Sequence, residues 1–234
     1  AKQSALDDGD PRSLSPAKLL GTLAGISPGG VFAQALWEMR DSRSVSASEL
    51  STVSSALLSR PNPGAFTLGL ALTIHTSPGD GLRLARESRN FAARGSFEES
   101  LLRAAIGGVV NPDPVVVSGL GDLARSLDSP YRVEAATSLF VIHTAEAVRE
   151  LAPLLEEDDP ELVARAVGGL ACFANNVPIG GLQPAAGEAP YRSGETIKHS
   201  VMSGDAIKRD RAYYVGFWRE WWDNNKDSVL AQSR

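Results

Sequence analysis

The sequence predicts an all-α fold, an α-solenoid in which helix pairs repeat along the chain. The first observation is a pattern of residues at the helical spacing i, i+3, i+4, i+7 and i+8, which occurs twice with an offset of 30 residues. The second is that Ser129-Pro130 and Asp159-Pro160 precede the two copies, and both dipeptides favour the start of a helix. The copies are Val133, Ala136, Thr137, Phe140 and Val141, then Val163, Ala166, Val167, Leu170 and Ala171.

Capping and proline signals divide the rest of the chain into further helices. Ser46 to Glu49 and Ser96 to Glu99 have the Ser-x-x-Glu form of a capping box. A helix from Val115 to Leu127 should bury Leu127, and an amphipathic helix should run from Ala145 to Leu155. Two helices are expected between residues 15 and 39. The predicted organisation is a disordered lead-in at 1–13, a repeat array at 14–175, an irregular loop at 176–204 and a C-terminal helix at 205–234.

Two pairs of glycines lie at corresponding places in the repeat. Gly107-Gly108 and Gly168-Gly169 are flanked by similar apolar residues. Glycine inside a helix costs roughly 1 kcal/mol relative to alanine, so a pair retained there indicates that another helix approaches closely. We therefore expect both pairs to lie inside helices at points of tight packing.

The C-terminal helix carries a concentrated run of aromatic residues on one stripe. The helix can cover the exposed end of the last repeat, because a solenoid needs a capping element. Part of the stripe can instead form a binding groove with Tyr191 from the preceding loop, since Trp and Tyr are enriched at binding hot spots. The six aromatic residues are Tyr213, Tyr214, Phe217, Trp218, Trp221 and Trp222.

Composition and charge narrow the classes of function. The net charge of −5 and the pI near 5.3 argue against general binding of nucleic acid, which requires clustered positive charge. No apolar run approaches the ~20 residues of a membrane span. The single cysteine, Cys172, is expected to be a small buried hydrophobe. The chain begins at Ala1 without Met, so removal of a leader and a bacterial extracytoplasmic location are the expectation, although the compartment stays open.

The segment from Ser129 to Ala174 resembles HEAT repeats of the short, roughly 30-residue kind. Its caps, its alanine-rich first helices and the leucine-rich helix before Glu156-Glu157-Asp158-Asp159-Pro160 carry the resemblance, which covers about Phe97 to Asn175. The ending Gly216 to Trp222 is similar to that of bacterial HEAT-repeat proteins of unknown role. The chain departs from the pattern at Leu162, where an arginine usually stands. The resemblance implies a right-handed superhelix that binds other proteins as a scaffold.

The histidines and the charged runs, which could in principle bind metal or take part in catalysis, are interpreted as structural. His75 and His143 lie near the C-terminal ends of helices, where a partly positive imidazole is favoured, and capping explains them better than metal binding. The third histidine is His199. The acidic run from Glu156 to Asp159 is interpreted as a solvated turn before a helix N-terminus, and the basic cluster from Lys208 to Arg211 as the outer face of the last helix.

The resulting hypothesis is a non-enzymatic scaffold that binds protein partners and has no cofactor, metal or catalytic residue. The first alternative is a module that binds a small molecule or peptide between the 177–204 loop and the concave face. The second is an enzyme of the HEAT-like lyase type, which would act on a bilin or a similar substrate. The candidate binding residues are Tyr191, Tyr214, Trp218, Trp221 and Trp222.

Overall fold

The computed structural model describes residues 38, 46–177, 179, 191–200 and 204–231, and the secondary-structure elements in this part are helices joined by turns and loops. The all-α prediction is confirmed for these residues. The chain divides into two compact units, Ala1–Ala105 and Ile106–Arg234. The predicted lead-in at 1–13 and, apart from the helical residue Glu38, the two helices expected between residues 15 and 39 lie outside the described residues.

From residue 46 onward, the first unit contains three complete helices and most of a fourth. Ser46 caps the first of them through a capping box with Glu49, as the sequence predicts. Asn62 accepts a hydrogen bond from the backbone N–H of Ala65 and caps the second. This second helix packs against both the first and the third, and its residues from 67 to 74 are buried. The helices are α1 (Ala47–Leu58), α2 (Pro63–Thr76), α3 (Pro78–Glu87) and α4 (Phe97–Gly107), the last of which runs into the second unit.

The second unit is arranged around one central helix, α8, which spans Pro160–Asn175. Among the described residues of this unit, it packs against the α-helices that begin at Arg132, Ala145, Gly194, Gly204 and Arg211. Its buried residues are distributed all around its axis. Alanine and glycine make up much of its length, which lets the neighbours approach. The other helices are α5 (Pro114–Arg125), α6 (Arg132–Ile142), α7 (Ala145–Leu151), a 3-10 helix (Ala152–Glu156), α9 (Gly194–Lys198), α10 (Gly204–Arg209) and α11 (Arg211–Ala231).

The two copies of the predicted repeat differ in what they bury. All five residues of the second copy are buried in α8, as expected. In the first copy only Ala136 is buried, and the interior face of α6 is formed by Ala135, Ala136, Ser138, Leu139 and Ile142. The two copies also start differently. Asp159 caps α8, whereas Ser129 accepts from the N–H of Tyr131 in a turn, and α6 begins only at Arg132.

Several helix ends differ from the predicted ones for local reasons. The helix from Ala145 remains α-helical only to Leu151 and continues as a 3-10 helix, because Pro153 has no N–H for the next α-helical bond. α5 ends at Arg125, which leaves Leu127 79% exposed rather than buried. α9 lies within the segment that was expected to be irregular. Its first turn is held by a capping box between Ser193 and Thr196.

The glycine pairs meet the close-approach prediction in one copy only. A Cβ added to Gly169 would lie 2.3 Å from Cδ1 of Leu151, and one added to Gly168 would lie 3.3 Å from Cε2 of Phe140. Gly107, in contrast, is the last residue of α4, so this pair does not lie inside a helix. A Cβ there would find only ordinary contacts, the nearest at 3.8 Å. The lack of side chains at Gly168 and Gly169 therefore allows neighbouring helices to pack closely around α8.

Replacement of Gly121 by alanine should destabilise the second unit. A Cβ at this position would lie 2.2 Å from Oε2 of Glu150, a buried carboxylate that is bound to Arg125 at 2.6 Å. We expect Gly121→Ala to lower the free energy of unfolding by about 1–3 kcal/mol, measured by chemical denaturation.

The matched control for this substitution is Gly216→Ala in α11. A Cβ at Gly216 meets nothing within 4 Å, so the gain in helix propensity should stabilise the protein by about 0.5–1 kcal/mol. Equal effects of the two substitutions would show that the contact between α5 and α7 is looser than described.

Candidate functional site

Basic side chains attach the C-terminal helices α10 and α11 to the rest of the second unit. Arg219 forms a two-pronged ion pair with Glu156, in which its Nη2 lies 2.7 Å from Oε2. Arg211 donates to the backbone carbonyl of Glu157, and Lys208 pairs with Glu161. The acidic run is exposed or half-exposed, as expected for a solvated turn, and Lys208 is exposed as expected. In addition, Arg219 and Arg211 bind this turn. These contacts set the position of α11 along the unit.

The segment from Tyr191 to Ser200 is attached to α8 through the buried side-chain amide of Asn175. The Nδ2 group of Asn175 donates to the carbonyl oxygen of Thr196 at 3.1 Å and to Oγ of Ser200 at 2.6 Å. In return, Oγ1 of Thr196 donates to Oδ1 of Asn175 at 2.8 Å. Both Asn175 and Thr196 are buried, so these bonds form away from competing water. Hydrogen bonds thus hold α9 against the C-terminal end of α8.

Trp218 joins the same segment to α11. Its side chain is fully buried, and its indole Nε1–H donates to the carbonyl oxygen of His199 at 3.1 Å. The His199 ring in turn lies flat against Phe217, with ring centroids 3.8 Å apart, and is stacked on Tyr213 at 4.4 Å. A buried indole whose N–H is satisfied is a structural anchor. Trp218 therefore belongs to the core.

Tyr191 stands at the other end of this segment and contacts two aromatic residues. Its ring is stacked on Phe173 of α8 with centroids 6.1 Å apart and meets the edge of Trp221 at 5.5 Å. Its hydroxyl donates to Oγ of Ser228 at 3.1 Å. These contacts hold Tyr191 beside α11, although its own surface remains half-exposed.

An open groove lies between this segment and α11, with a cavity volume of about 430 Å³. That volume is within the ~300–1,000 Å³ typical of ligand sites. One wall is formed by the residues from Tyr191 to Thr196, and the other by one face of α11. We call this cavity the aromatic groove; it is lined by Tyr191, Arg192, Ser193, Glu195, Thr196, Phe217, Glu220, Trp221, Asn224 and Asn225.

The predicted binding residues fall in three places. Tyr191 and Trp221 line the aromatic groove together, although Trp221 is only 7% exposed. Trp218 is in the core, and Tyr214 and Trp222 are half-buried outside the groove lining. Sequence reasoning did not include the polar lining among the candidates. The signal was available on α11, because Phe217, Glu220, Trp221 and Asn224 follow the spacing i, i+3, i+4 and i+7 of one helical face.

The histidines occupy three different environments. His75 is exposed in the last turn of α2, and His199 is buried in the aromatic stack. His143 ends α6 in a left-handed conformation, with φ of 57°, and meets the edge of Phe173. Burial lowers the pKa of His143, and a hydrogen bond with the backbone of Cys172 only partly opposes this. The expected partly positive imidazole is therefore wrong for His143, because desolvation outweighs the helix terminus. No group of three potential metal ligands occurs among the described residues.

The thiol of Cys172 should react slowly in the folded protein. Burial of Cys172, which the sequence predicts, is confirmed, and it raises the pKa of the thiol to about 11. At pH 8 only about one thiol in a thousand would then be ionised, and the thiolate is the nucleophile. We expect a disulfide reagent to modify Cys172 at least ~10-fold faster in urea than in buffer. Rapid modification of the native protein at pH 8 would contradict this environment.

Acidification should destabilise the protein in part through His143. Because its folded-state pKa lies below the ordinary value of 6.5, the unfolded chain binds the proton more readily, and stability falls as pH drops below about 6.5. Asparagine tolerates the left-handed conformation and does not titrate. We expect His143→Asn to lose less unfolding free energy than the parent between pH 7 and pH 5, measured by urea denaturation. Parallel losses would show that His143 is not responsible.

Comparison with protein-family models, with curated proteins and with solved structures finds no match for this chain. Among the residues that the structure describes, no helix has both the length and the apolarity needed to cross a membrane. The inference of function therefore starts from the aromatic groove and its chemistry.

Proposed function

We propose that this protein is a non-enzymatic binding module that captures a protein partner in the aromatic groove. The observation that carries the proposal is that Tyr191 and Trp221 lie together at the edge of one open cavity. Aromatic residues held rigidly beside polar groups are typical of protein-binding hot spots. Their positions are already fixed by contacts within the unit, so binding requires little additional ordering.

The polar groups of the groove also favour binding over catalysis. The hydroxyl groups of Ser193 and Thr196 are engaged in capping α9 and in the bonds to Asn175. They hold the groove wall in place. Glu220 and Asn224, in contrast, are exposed on α11 and form no ion pair or hydrogen bond with the described residues. A partner can bind these two side chains without displacing an internal contact.

The scaffold is proposed to be a HEAT-like α-solenoid with a right-handed superhelix, capped by α11. Support comes from consecutive helices of the second unit that pack on each other, α5 on α6 and α7 on α8, and from the Asp159-Pro160 start of α8. Arg219 attaches α11 to the 3-10 helix, and Lys208 attaches the preceding helix α10 to α8; both ion pairs support the capping role. In this proposal the cap and the groove wall are two faces of the same helix.

A small molecule is the second candidate for the groove. The volume of about 430 Å³ would accommodate one, and Tyr191, Phe217 and Trp221 provide apolar surface. The first alternative from the sequence placed such a site between the 177–204 loop and the concave face. The groove shares residues of that loop, but its other wall is α11. A protein partner is preferred because the groove is open along α11 and bordered by Glu220 and Asn224, which have no partner within the described part of the chain.

Filling the groove should abolish capture of the partner without unfolding the protein. Asn224→Tyr introduces a large ring on the lining face of α11, and Ala212→Tyr introduces the same ring at an exposed position outside the lining. The measurement is affinity purification from the source lysate, quantified by mass spectrometry. We expect the parent and Ala212→Tyr to capture the same partner, and Asn224→Tyr to capture at least ~10-fold less of it. Equal retention by all three would contradict the proposal.

Replacement of the buried tryptophan tests structure rather than binding. Trp218→Ala removes a fully buried ring and the hydrogen bond to His199, so it should cost about 3–5 kcal/mol of unfolding free energy. Thermal melting of this variant beside Tyr191→Ala, whose ring is half-exposed, measures the difference. A loss for Tyr191→Ala as large as for Trp218→Ala would mean that Tyr191 is chiefly a core residue.

A further inference from the structure

The charged residues of the aromatic groove have an excess of negative charge. Its lining contains two carboxylates, Glu195 and Glu220, and one guanidinium, Arg192. Glu220 has no ion-pair partner among the described residues. Glu195 lies 3.7 Å from Lys198, but both side chains are more than 60% exposed, so water screens this pair. Both carboxylates are therefore able to bind a cation supplied from outside.

The aromatic rings of the groove provide a second attraction for a positive charge. Tyr191, Phe217 and Trp221 lie in the same lining as the carboxylates. A cation is attracted to the electron-rich face of such rings. Tyr191 and Phe217 are partly exposed and can offer part of their surface, whereas Trp221 is only 7% exposed. The apolar stem of a lysine or arginine side chain can pack along the rings while its charged end reaches the carboxylates. A cation with an apolar stem thus matches both parts of the lining.

We propose that the aromatic groove binds the lysine or arginine side chain of an extended segment in a partner protein. The proposal rests on the proposed binding function and specifies the chemistry of its ligand. A peptide is preferred to a free amine because the exposed Asn224 amide borders the groove and can bond to a peptide backbone; none of the residues that the structure describes is bound to it. A purely apolar ligand would cover Glu220 without compensating its charge, which is unfavourable.

Short model peptides test the ligand chemistry directly. The probes are acetylated and amidated pentapeptides Gly-Gly-X-Gly-Gly, in which X is lysine, arginine, norleucine or glutamate. Binding is followed by NMR through the side-chain amide signals of Asn224 and Asn225, both of which line the groove. We expect the lysine and arginine peptides to bind at least ~3-fold more tightly than the norleucine peptide, which has a similar stem without charge. The glutamate peptide should not bind.

Two variants that each remove one negative charge, one inside the lining and one outside it, test where the peptide binds. Glu220→Gln removes a carboxylate of the lining, and Asp227→Asn removes one from the same helix outside the lining. We expect Glu220→Gln to weaken binding of the lysine peptide at least ~3-fold, with a smaller salt dependence, and Asp227→Asn to leave it unchanged. Both residues are exposed, so neither substitution should alter the melting temperature appreciably.

Specific outcomes would overturn the proposal. Tightest binding of the norleucine peptide would indicate apolar recognition, and tightest binding of the glutamate peptide would indicate an anion site at Arg192. Butylamine binding as tightly as the lysine peptide would indicate a small-amine site. If no peptide binds while Asn224→Tyr still abolishes partner capture, recognition of a basic side chain is refuted and the proposed binding function stands. If Asn224→Tyr leaves partner capture unchanged as well, both proposals fail.

Discussion

The buried amide of Asn175 is the contact on which the groove depends. It satisfies the backbone and the hydroxyl of Thr196 at the end of the central helix α8. Without that bond, the segment from Tyr191 to Ser200 would have to leave buried polar groups unpaired, at a cost of about 1–3 kcal/mol each. Because the segment is held there, the carbonyl of His199 meets the indole of Trp218, and Tyr191 meets Trp221. The groove is a consequence of these contacts.

The aromatic stripe of α11 has residues both in the core and at the groove, the two places that the sequence left as alternatives. Trp218 faces inward and is fully buried, so it contributes to the core. Phe217 and Trp221 border the groove, with Glu220 on the same face. A helix turns 100° per residue, so adjacent residues face different surroundings. One helix can therefore pack against the unit with one face and line the groove with another. The alternatives of a cap and a groove are thus compatible for this stripe.

Local signals predicted the helices better than they predicted burial or the site. The caps at Ser46 and Asp159 depend on nearby residues and agree with the structure. The apolar stripe predicted for α6 disagrees with the structure. The face of a helix that becomes buried depends on the neighbouring helices, which local signals do not specify. The groove combines Tyr191 with α11 across about 30 residues, part of which lies outside the described chain, and helical periodicity carries no information about such distant pairs.

Hydrogen exchange of the Asn175→Leu variant tests whether the buried amide of Asn175 holds the groove wall in place. Leucine keeps a similar volume and removes the bonds to Thr196 and Ser200. The account predicts that amides from Thr196 to Ser200 exchange at least ~10-fold faster than in the parent, while those of α6 remain protected. Unchanged protection from Thr196 to Ser200 would contradict it, because the groove wall would then be held by contacts other than the buried amide.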